Sequence, residues 1–238
     1  MKLAEYLARR RRARVAAVML FALIMGFVSA APPVVTGCQA QDLTPAPDTS
    51  MLSPAVSALA QEQQEPAAQP LPEKWVCLTF DDGPGVYTST LLDTLEQYGA
   101  QATFFMLGSN VEKYGADVIP RMAAIGCELG NHSYAHPNMK ELSTDDGLAQ
   151  FQMTDDLIAQ YNNGQGATVI RFPYGNSTDE LLASIGRPSI MWDVDTLDWQ
   201  TKNVQANISA VLDSVSPGDI ILMHDIHETT VESCATIV

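Results

Sequence analysis

Two histidines in the chain have the spacing of a metal site. His132 and His136 are four positions apart, which places two imidazoles on one side of a helical turn. An aspartate oxygen from another segment would complete three ligands and leave a position open for water. Such a set suits a divalent metal, Zn2+ first and Co2+ or Ni2+ as alternatives, and a metal of this kind lowers the pKa of water to about 7.

The adjacent carboxylates Asp81 and Asp82 supply the other groups that this chemistry needs. One could bind the metal while the other accepts a proton from water. If both were plain ligands, no base would remain. Further along the chain, Arg171, Asp198 and His224 are additional charged or ionisable candidates. Together these residues indicate metal-assisted hydrolysis.

The elements that must position these residues alternate between strands and helices. Short apolar runs predict strands at 75–80 and 102–106, a brief third strand is predicted at 128–131, and further strands are predicted at 169–172, 190–194 and 219–223. Amphipathic runs predict helices at 88–98, 111–125, 178–185 and 204–215, and another that Ser143 caps and that ends near Tyr161. Repeated β/α order predicts parallel strands with outer helices, open or closed into a barrel. The polar candidates fall in or just after strands, at the rim where such folds assemble active sites.

The N-terminal residues predict export. A basic segment at 2–14 precedes an apolar run at 15–31, the order found in a secretory signal. Three outcomes stay open: cleavage after Ala30, lipidation of Cys38 in a lipobox-like Val-Thr-Gly-Cys, or an uncleaved membrane anchor. A linker rich in Pro, Ala and Gln follows. The predicted organisation is a signal or anchor at 1–38, a linker at 39–72 and a catalytic domain at 73–238, secreted or held at the bacterial membrane.

The charge of the chain excludes some partners. It has 28 acidic and 13 basic residues, a formal net charge of -15, and most of its arginines lie in the N-terminal segment. This balance argues against a nucleic-acid binder and against adsorption to anionic lipid outside the N-terminal anchor. The expected partner is neutral, cationic or bound through a metal.

Five motifs, in order, resemble those of the NodB-homology polysaccharide deacetylases, also called carbohydrate esterase family 4. They are TFDDGP at 79–84, HSYAHP at 132–137, RFPY at 171–174, DTLDW at 195–199 and LMH at 222–224. Several spaced motifs together are far more specific than one. The resemblance implies a distorted, incomplete (β/α) barrel. It also implies a metal-dependent hydrolase that removes acetyl groups from a polysaccharide, such as the N-acetylglucosamine residues of peptidoglycan or of a chitin-like polymer.

The same resemblance implies the roles of the reacting groups. Asp82, His132 and His136 would hold the metal. Asp81 would act as the general base, and His224 would act as the general acid on the leaving nitrogen.

The remaining motif residues would support these groups. By resemblance, Arg171 orients the base and Asp198 orients the acid histidine. The backbone N–H of Tyr174 would stabilise the oxyanion, and Trp199 and Leu222 would line the acetyl pocket.

Two alternatives remain open on the sequence. The motifs do not separate N-acetyl from O-acetyl substrates, so an acetylxylan esterase is possible within the same chemistry. A catalytically silent wall-binding protein with the same barrel is the second alternative, although binding alone needs neither Asp81 nor His224. The polysaccharide is the expected partner, and the chain is expected to be a monomer.

The C-terminal segment departs from the family pattern. Only 14 residues follow His224, where family members usually continue with a full helix and one more strand. We expect the domain to be truncated at this end and Thr229–Val238 to form at most a short, frayed helix. The strand that carries Asp81 or the strand that carries His224 would then be an exposed edge.

Overall fold

Six parallel strands organise residues 74–238, the part of the chain that this computed structural model describes. They are β1 (Cys77–Asp81), β2 (Ala102–Met106), β3 (Glu128–Asn131), β4 (Val169–Ile170), β5 (Val194–Asp195) and β6 (Ile220–His224). Their order in the sheet is β4-β3-β2-β1-β6-β5. The α/β fold with a parallel sheet, expected from the sequence, is confirmed.

Helices connect these strands. Within the described residues they are α1 (Thr88–Tyr98), α2 (Gly108–Ala124), α3 (Thr144–Tyr161), α4 (Asp179–Ser184), α5 (Asp198–Thr201), α6 (Val204–Leu212) and α7 (Glu228–Ile237). Short 3-10 turns lie at Met139–Glu141 and Pro173–Gly175. None of the helices in residues 74–238 combines the length and apolar character needed to cross a membrane.

The core lies between the central strands and their helices. Every residue of β2 is buried, and the rings of Phe80 and Phe104 stack with centroids 5.4 Å apart. Leu91, Leu92 and Leu95 of α1 are fully buried against this layer. Strands of a parallel sheet are covered on both faces, so they appear in the sequence as continuous apolar runs.

Local signals set the ends of two helices. Helix α1 stops at Gly99, whose φ of 64° lies in the left-handed region that favours glycine at a helix C-terminus. Helix α3 begins after Ser143, whose Oγ accepts the N–H of Asp146 at 3.1 Å. Both ends lie where the sequence predicted them.

The segment that precedes β5 forms backbone hydrogen bonds to β4, at one edge of the sheet, and to β6, near the other edge. The N–H of Ile170 donates to Pro188 O at 3.0 Å, and the N–H of Ile190 donates to Ile170 O at 2.9 Å. Three residues later, the N–H of Asp193 donates to Ile220 O at 2.8 Å. One segment therefore bonds first to the β4 side and then to β6, with a break between. The strand predicted at 190–194 is displaced to Val194–Asp195 because the segment changes partners there.

Two expectations for the C-terminal segment are wrong. Helix α7 is ten residues long and buries Val231 and Cys234, so it is a packed element rather than a frayed end. Strand β1 pairs with β2 on one side and with β6 on the other, in a register that sets Asp81 opposite His224. Neither strand is an edge, because β6 lies directly beside β1 and has β5 on its other side.

The signal or anchor predicted at 1–38, with its lipobox-like sequence at Cys38, and the linker predicted at 39–72 lie outside the described residues.

Candidate active site

The residues of the five motifs meet at the carboxyl ends of the strands. A cavity of about 370 Å³ opens there. Its lining residues are Asp81, His132, His136, Phe172, Tyr174, Trp192, Asp195, Trp199, Leu222 and His224. Asp82, Arg171 and Asp198 contact residues of this lining from behind or beside it. All ten site residues predicted from the sequence are therefore brought together.

Asp82, His132 and His136 form a cluster of three possible ligands. Asp82 Oδ1 lies 3.5 Å from His136 Nε2 and 3.6 Å from His132 Nε2, and the three ligand atoms are within 4.8 Å of one another. Asp82 Oδ1 is buried and has no hydrogen-bond partner among the described residues. A buried, unpaired polar atom costs about 1–3 kcal/mol, more when charged. A cation at this cluster would remove that cost, so the three residues fit a divalent metal.

The ring of His132 is fixed in the orientation that a metal ligand needs. Its Nδ1 lies 2.7 Å from the carbonyl oxygen of Arg171, so Nδ1–H donates and Nε2 keeps its lone pair toward Asp82. Burial lowers the pKa of His132 to about 3, which keeps the imidazole neutral. Neutral imidazole is the form that binds metal ions.

The loop that carries the two histidines is not the helical turn that their spacing predicted. Ser133 and His136 instead adopt left-handed backbone conformations, with φ of 76° and 56°. Side chains hold them there: the N–H of Ser133 donates to Asn131 Oδ1 at 2.9 Å, and the N–H of His136 donates to Ser133 Oγ at 3.1 Å. The two rings still face one site, with centroids 5.0 Å apart.

Asp81 is held between Arg171 and His132. Its Oδ1 accepts from Arg171 Nη1 at 2.7 Å, and its Oδ2 lies 3.6 Å from His132 Nε2. Burial raises the pKa of Asp81, and the charge of Arg171 opposes this rise. Arg171 is itself fully buried, bonds Thr79 Oγ1 at 2.8 Å and stacks 4.2 Å over the ring of Phe105. The carboxylate is thus fixed in place with one oxygen toward the histidine cluster.

His224, in the cavity lining, pairs with the fully buried Asp198. His224 Nδ1 lies 2.8 Å from Asp198 Oδ1, and the backbone N–H of His224 donates to Asp198 Oδ2 at 2.7 Å. Burial alone would lower the pKa of His224, but the hydrogen bond and charge of Asp198 outweigh it and raise this pKa to about 9. The imidazole is therefore protonated at neutral pH, as a general acid must be.

Apart from Asp195, the remaining wall is apolar and aromatic. The ring of Tyr174 packs edge-on against His136 with centroids 4.5 Å apart, and the backbone of Tyr174 is left-handed at φ 59°. Leu222 is buried in the wall, whereas Trp199 is half exposed at its rim. This arrangement offers a small apolar surface beside the ionisable groups.

Comparison with known proteins identifies the family. Residues 68–187, half of the chain, match the family described as polysaccharide deacetylase. The chain belongs to this family. It is 38% identical to the chitooligosaccharide deacetylase of Sinorhizobium fredii, with 63% of this chain and 71% of that protein covered.

Two larger members of the polysaccharide deacetylase family are also similar. The peptidoglycan-N-acetylmuramic acid deacetylase PdaC of Bacillus subtilis is 39% identical over 70% of this chain and 35% of its own length. The peptidoglycan-N-acetylglucosamine deacetylase PgdA of Listeria monocytogenes is 38% identical over 68% of this chain and 35% of its own length. The chain thus spans about a third of each. The solved PdaC structure superimposes with a TM-score of 0.67 at 38% identity, covering 69% of this chain and 81% of that one.

Sequence reasoning missed several polar residues that support the site of this deacetylase-family chain. Thr230 Oγ1 donates to Asp198 Oδ2 at 2.7 Å, yet it lies in the segment expected to fray. Asn110 Nδ2 donates to the carbonyl oxygen of Asp82 at 2.7 Å. Neither has a local sequence signal, because each contact joins distant parts of the chain. Asn131 could have been suspected, since it directly precedes His132.

Proposed function

We propose that this protein is a metal-dependent hydrolase that removes N-acetyl groups from N-acetylglucosamine residues of peptidoglycan or of a chitin-like polymer. One observation carries the proposal. A possible metal cluster, a buried carboxylate and a histidine paired with a second carboxylate line or adjoin a single cavity of about 370 Å³. Hydrolysis of an amide needs an activated water, a proton acceptor and a proton donor, and the cavity offers a candidate for each.

Asp82, His132 and His136 would hold the metal, which we infer to be Zn2+, with Co2+ or Ni2+ as alternatives. The buried and unpartnered Asp82 Oδ1 supports this assignment. When bound, the ion would supply Lewis-acid activation of water and of the acetyl carbonyl.

Asp81 is the proposed general base. Its Oδ1 is occupied by Arg171, so Oδ2 is the oxygen that accepts a proton from the attacking water. Burial supports this role because it raises the pKa of the carboxyl and makes it a stronger proton acceptor. Arg171 is a positioning residue, since its side chain acts through Asp81 and its carbonyl oxygen acts through His132.

His224 is the proposed general acid. Asp198 binds Nδ1–H, which leaves Nε2–H as the proton for the leaving nitrogen. A pKa of about 9 keeps this proton in place at neutral pH. Protonation of the amine as the C–N bond breaks yields acetate and the free amino sugar.

The cavity wall would bind the acetyl group and its developing charge. Trp199 and Leu222 give an apolar surface for the methyl, and the backbone N–H of Tyr174 would donate to the oxyanion. One such donor contributes about 3 kcal/mol in a transition state.

The names of the relatives support the choice of substrate. PgdA is named for N-acetylglucosamine in peptidoglycan, PdaC for N-acetylmuramic acid in peptidoglycan, and the Sinorhizobium protein for chitooligosaccharides. All are acetylated amino sugars in polymers or oligomers. We accordingly infer a site of action outside the cytoplasm, with residues 1–38 as a signal or anchor, residues 39–72 as a linker and a monomeric catalytic domain.

Acetate release tests the proposal directly. The purified chain is incubated with chitotetraose, peptidoglycan and acetylxylan, with Zn2+, with a chelator, and after Zn2+ is restored. We expect metal-dependent release from chitotetraose or peptidoglycan. Release from acetylxylan alone would establish the esterase alternative. No release from any of the three, with Zn2+ bound, would favour the silent wall-binding alternative.

A pair of variants tests the division of roles between the adjacent aspartates. Asp81→Asn should lower kcat by about 100-fold or more while the metal content stays near wild type, because only the proton acceptor is lost. Asp82→Asn should lose metal and activity together. Elemental analysis and acetate release measure both. Equal loss of metal in the two variants would contradict the assignment.

A further inference from the structure

Asp225 is a buried carboxylate outside the five motifs. It follows His224 at the end of β6 and is fully inaccessible to solvent. One of its oxygens accepts a short hydrogen bond from the hydroxyl of Thr88, and Oδ1 has no hydrogen-bond partner among the described residues. Aspartates are rarely buried without a full set of partners, since desolvation is costly. Because burial of the Asp225 carboxylate is unfavourable, this side chain is a candidate for a specific role.

The surroundings of Asp225 connect it to the loop that carries Asp82. Its carboxylate lies against Gly83, where a Cβ would come within 2.2 Å of Asp225 Oδ1. Thr88, the first residue of α1, donates to Asp225 and also accepts the N–H of Gly85 at 2.7 Å. The carboxylate thus supports the 82–85 loop by direct contact and through one hydroxyl.

This loop needs support on two sides. Asp82 adopts φ 69°, a left-handed conformation that is unfavourable for a residue with a Cβ. On the β2 and α2 side, Asn110 binds the carbonyl oxygen of Asp82, and the N–H of Leu107 binds that of Gly83 at 2.9 Å. On the β6 and α1 side, Asp225 packs against the loop and Thr88 bonds to it.

We propose that Asp225 is a positioning residue that holds Asp82 in its metal-binding conformation, through its contact with Gly83 and its hydrogen bond to Thr88. The inference rests on the proposed metal site. It assigns Asp225 no contact with substrate. Residues that orient metal ligands in this way typically account for about 10- to 100-fold in metal affinity.

The proposed support of the Asp82 loop depends on the shape of the Asp225 side chain and on the oxygen that accepts from Thr88. Asparagine keeps both, so Asp225→Asn should preserve the loop. Burial raises the pKa of Asp225 to about 7, so a neutral side chain of the same shape also suits the site. Asp225→Ala removes the contact with Gly83 and leaves the hydroxyl of Thr88 without its acceptor.

Metal affinity and ligand geometry are the measurements. Zn2+ affinity is determined by competition with a chromogenic chelator, and the visible absorption spectrum of the Co2+ form reports the geometry of the ligands. We expect Asp225→Ala and Thr88→Val to bind Zn2+ about 10-fold more weakly, with an altered Co2+ spectrum. Asp225→Asn and Thr88→Ser should remain close to wild type, because each keeps the hydrogen bond.

Thr154→Val is the matched control for Thr88→Val. Thr154 is also fully buried, but its hydroxyl donates to the carbonyl oxygen of Gln150 in its own helix at 3.2 Å. This variant should lower the Tm of the metal-free protein without changing Zn2+ affinity. If Asp225→Ala does not fold, the Thr88→Val and Thr88→Ser pair decides the question.

Three results would overturn the proposal. They are wild-type Zn2+ affinity in Thr88→Val, an equal loss of affinity in Thr154→Val, and an Asp225→Asn variant that binds as weakly as Asp225→Ala. Failure of the proposed function can be distinguished from failure of this proposal. If the wild-type chain binds Zn2+ but releases no acetate, the Zn2+ affinities of the variants can still be compared. A wild-type chain that binds no Zn2+ would overturn both.

Discussion

At the scale of single residues, Asp198 is the partner that orients His224, the proposed general acid. It is fully buried and accepts four hydrogen bonds, from the backbone N–H of Trp199, the backbone and ring of His224 and the hydroxyl of Thr230. Burial alone would raise the pKa of Asp198, but the hydrogen bonds and charge of His224 and the hydrogen bond of Thr230 outweigh it and lower this pKa, so the carboxylate stays charged beside the imidazole. The pair therefore fixes both the direction and the protonation of His224.

Asp198→Asn should move the alkaline limb of the pH–rate profile to lower pH. An amide cannot stabilise the imidazolium, so the pKa of His224 should fall from about 9 toward its ordinary value near 6.5. The acid form is then lost earlier as pH rises, and kcat should drop more at pH 8 than at pH 6. The pH dependence of acetate release from chitotetraose measures this shift.

Thr230→Val is the companion to this experiment. It keeps the carboxylate and removes one donor that stabilises the anion, so Asp198 should hold the imidazolium of His224 more strongly and the limb should move slightly to higher pH, opposite to Asp198→Asn. If neither variant moved the alkaline limb, His224 would not be the group that controls it.

At the scale of elements, the cap of α3 should affect stability without affecting catalysis. Ser143 Oγ accepts the N–H of Asp146 and donates to its carboxylate at 2.6 Å. Ser143→Ala should lower the free energy of unfolding by about 1 kcal/mol and leave kcat unchanged. Denaturant titration and acetate release measure the two effects.

Ser184→Ala serves as the control for the cap. Ser184 is exposed, and its hydroxyl bonds only the carbonyl oxygen of Glu180 in its own helix. Its replacement should change stability far less. If both variants lost the same free energy of unfolding, the Ser143 cap would contribute no more than an ordinary serine within a helix.

The sequence predicted those elements whose signals are local. Helix α1 and strands β2 and β3 have the predicted bounds; Gly99 marks the end of α1, and the apolar run ATFFM marks β2. The clustering of the polar site residues was predictable because each lies in or just after a strand, whereas Tyr174, Trp199 and Leu222 were expected only from the family resemblance. The conformation of the His132 loop was not, since it depends on hydrogen bonds that Asn131 Oδ1 and Ser133 Oγ accept from backbone N–H groups of the loop. The packing of α7 was also missed, because Thr230 binds a residue 32 positions away.

At the scale of the whole molecule, charge should influence the choice among substrates. Residues 74–238 contain 22 acidic and 7 basic side chains, and three of the basic ones, Arg121, Arg171 and Arg187, are paired with carboxylates. Peptidoglycan carries carboxylates, whereas chitotetraose is neutral. Long-range repulsion should therefore slow encounter with peptidoglycan alone.

Added salt should relieve this repulsion. Raising NaCl from 0.01 M to 0.3 M shortens the screening length from about 30 Å to below 10 Å. We expect kcat/KM on soluble peptidoglycan fragments to rise by about threefold or more, with little change on chitotetraose. An equal response of both substrates would contradict a charge effect on encounter.

Arg171 has a second consequence, for local opening of the segment that precedes β5. Its Nε donates to Ile190 O at 3.1 Å, and its Nη2 donates to Met191 O at 3.2 Å, beside the break where the segment changes from β4 to β6. The guanidinium thus bonds the segment at the point where its backbone pairing changes from β4 to β6. It also connects the segment to β1 through Asp81. A lysine has no planar set of donors to reach all these acceptors. In Arg171→Lys, amide hydrogens around 190–193 would exchange with solvent as one early-opening unit, while those of β1 and β2 keep the protection of the global fold.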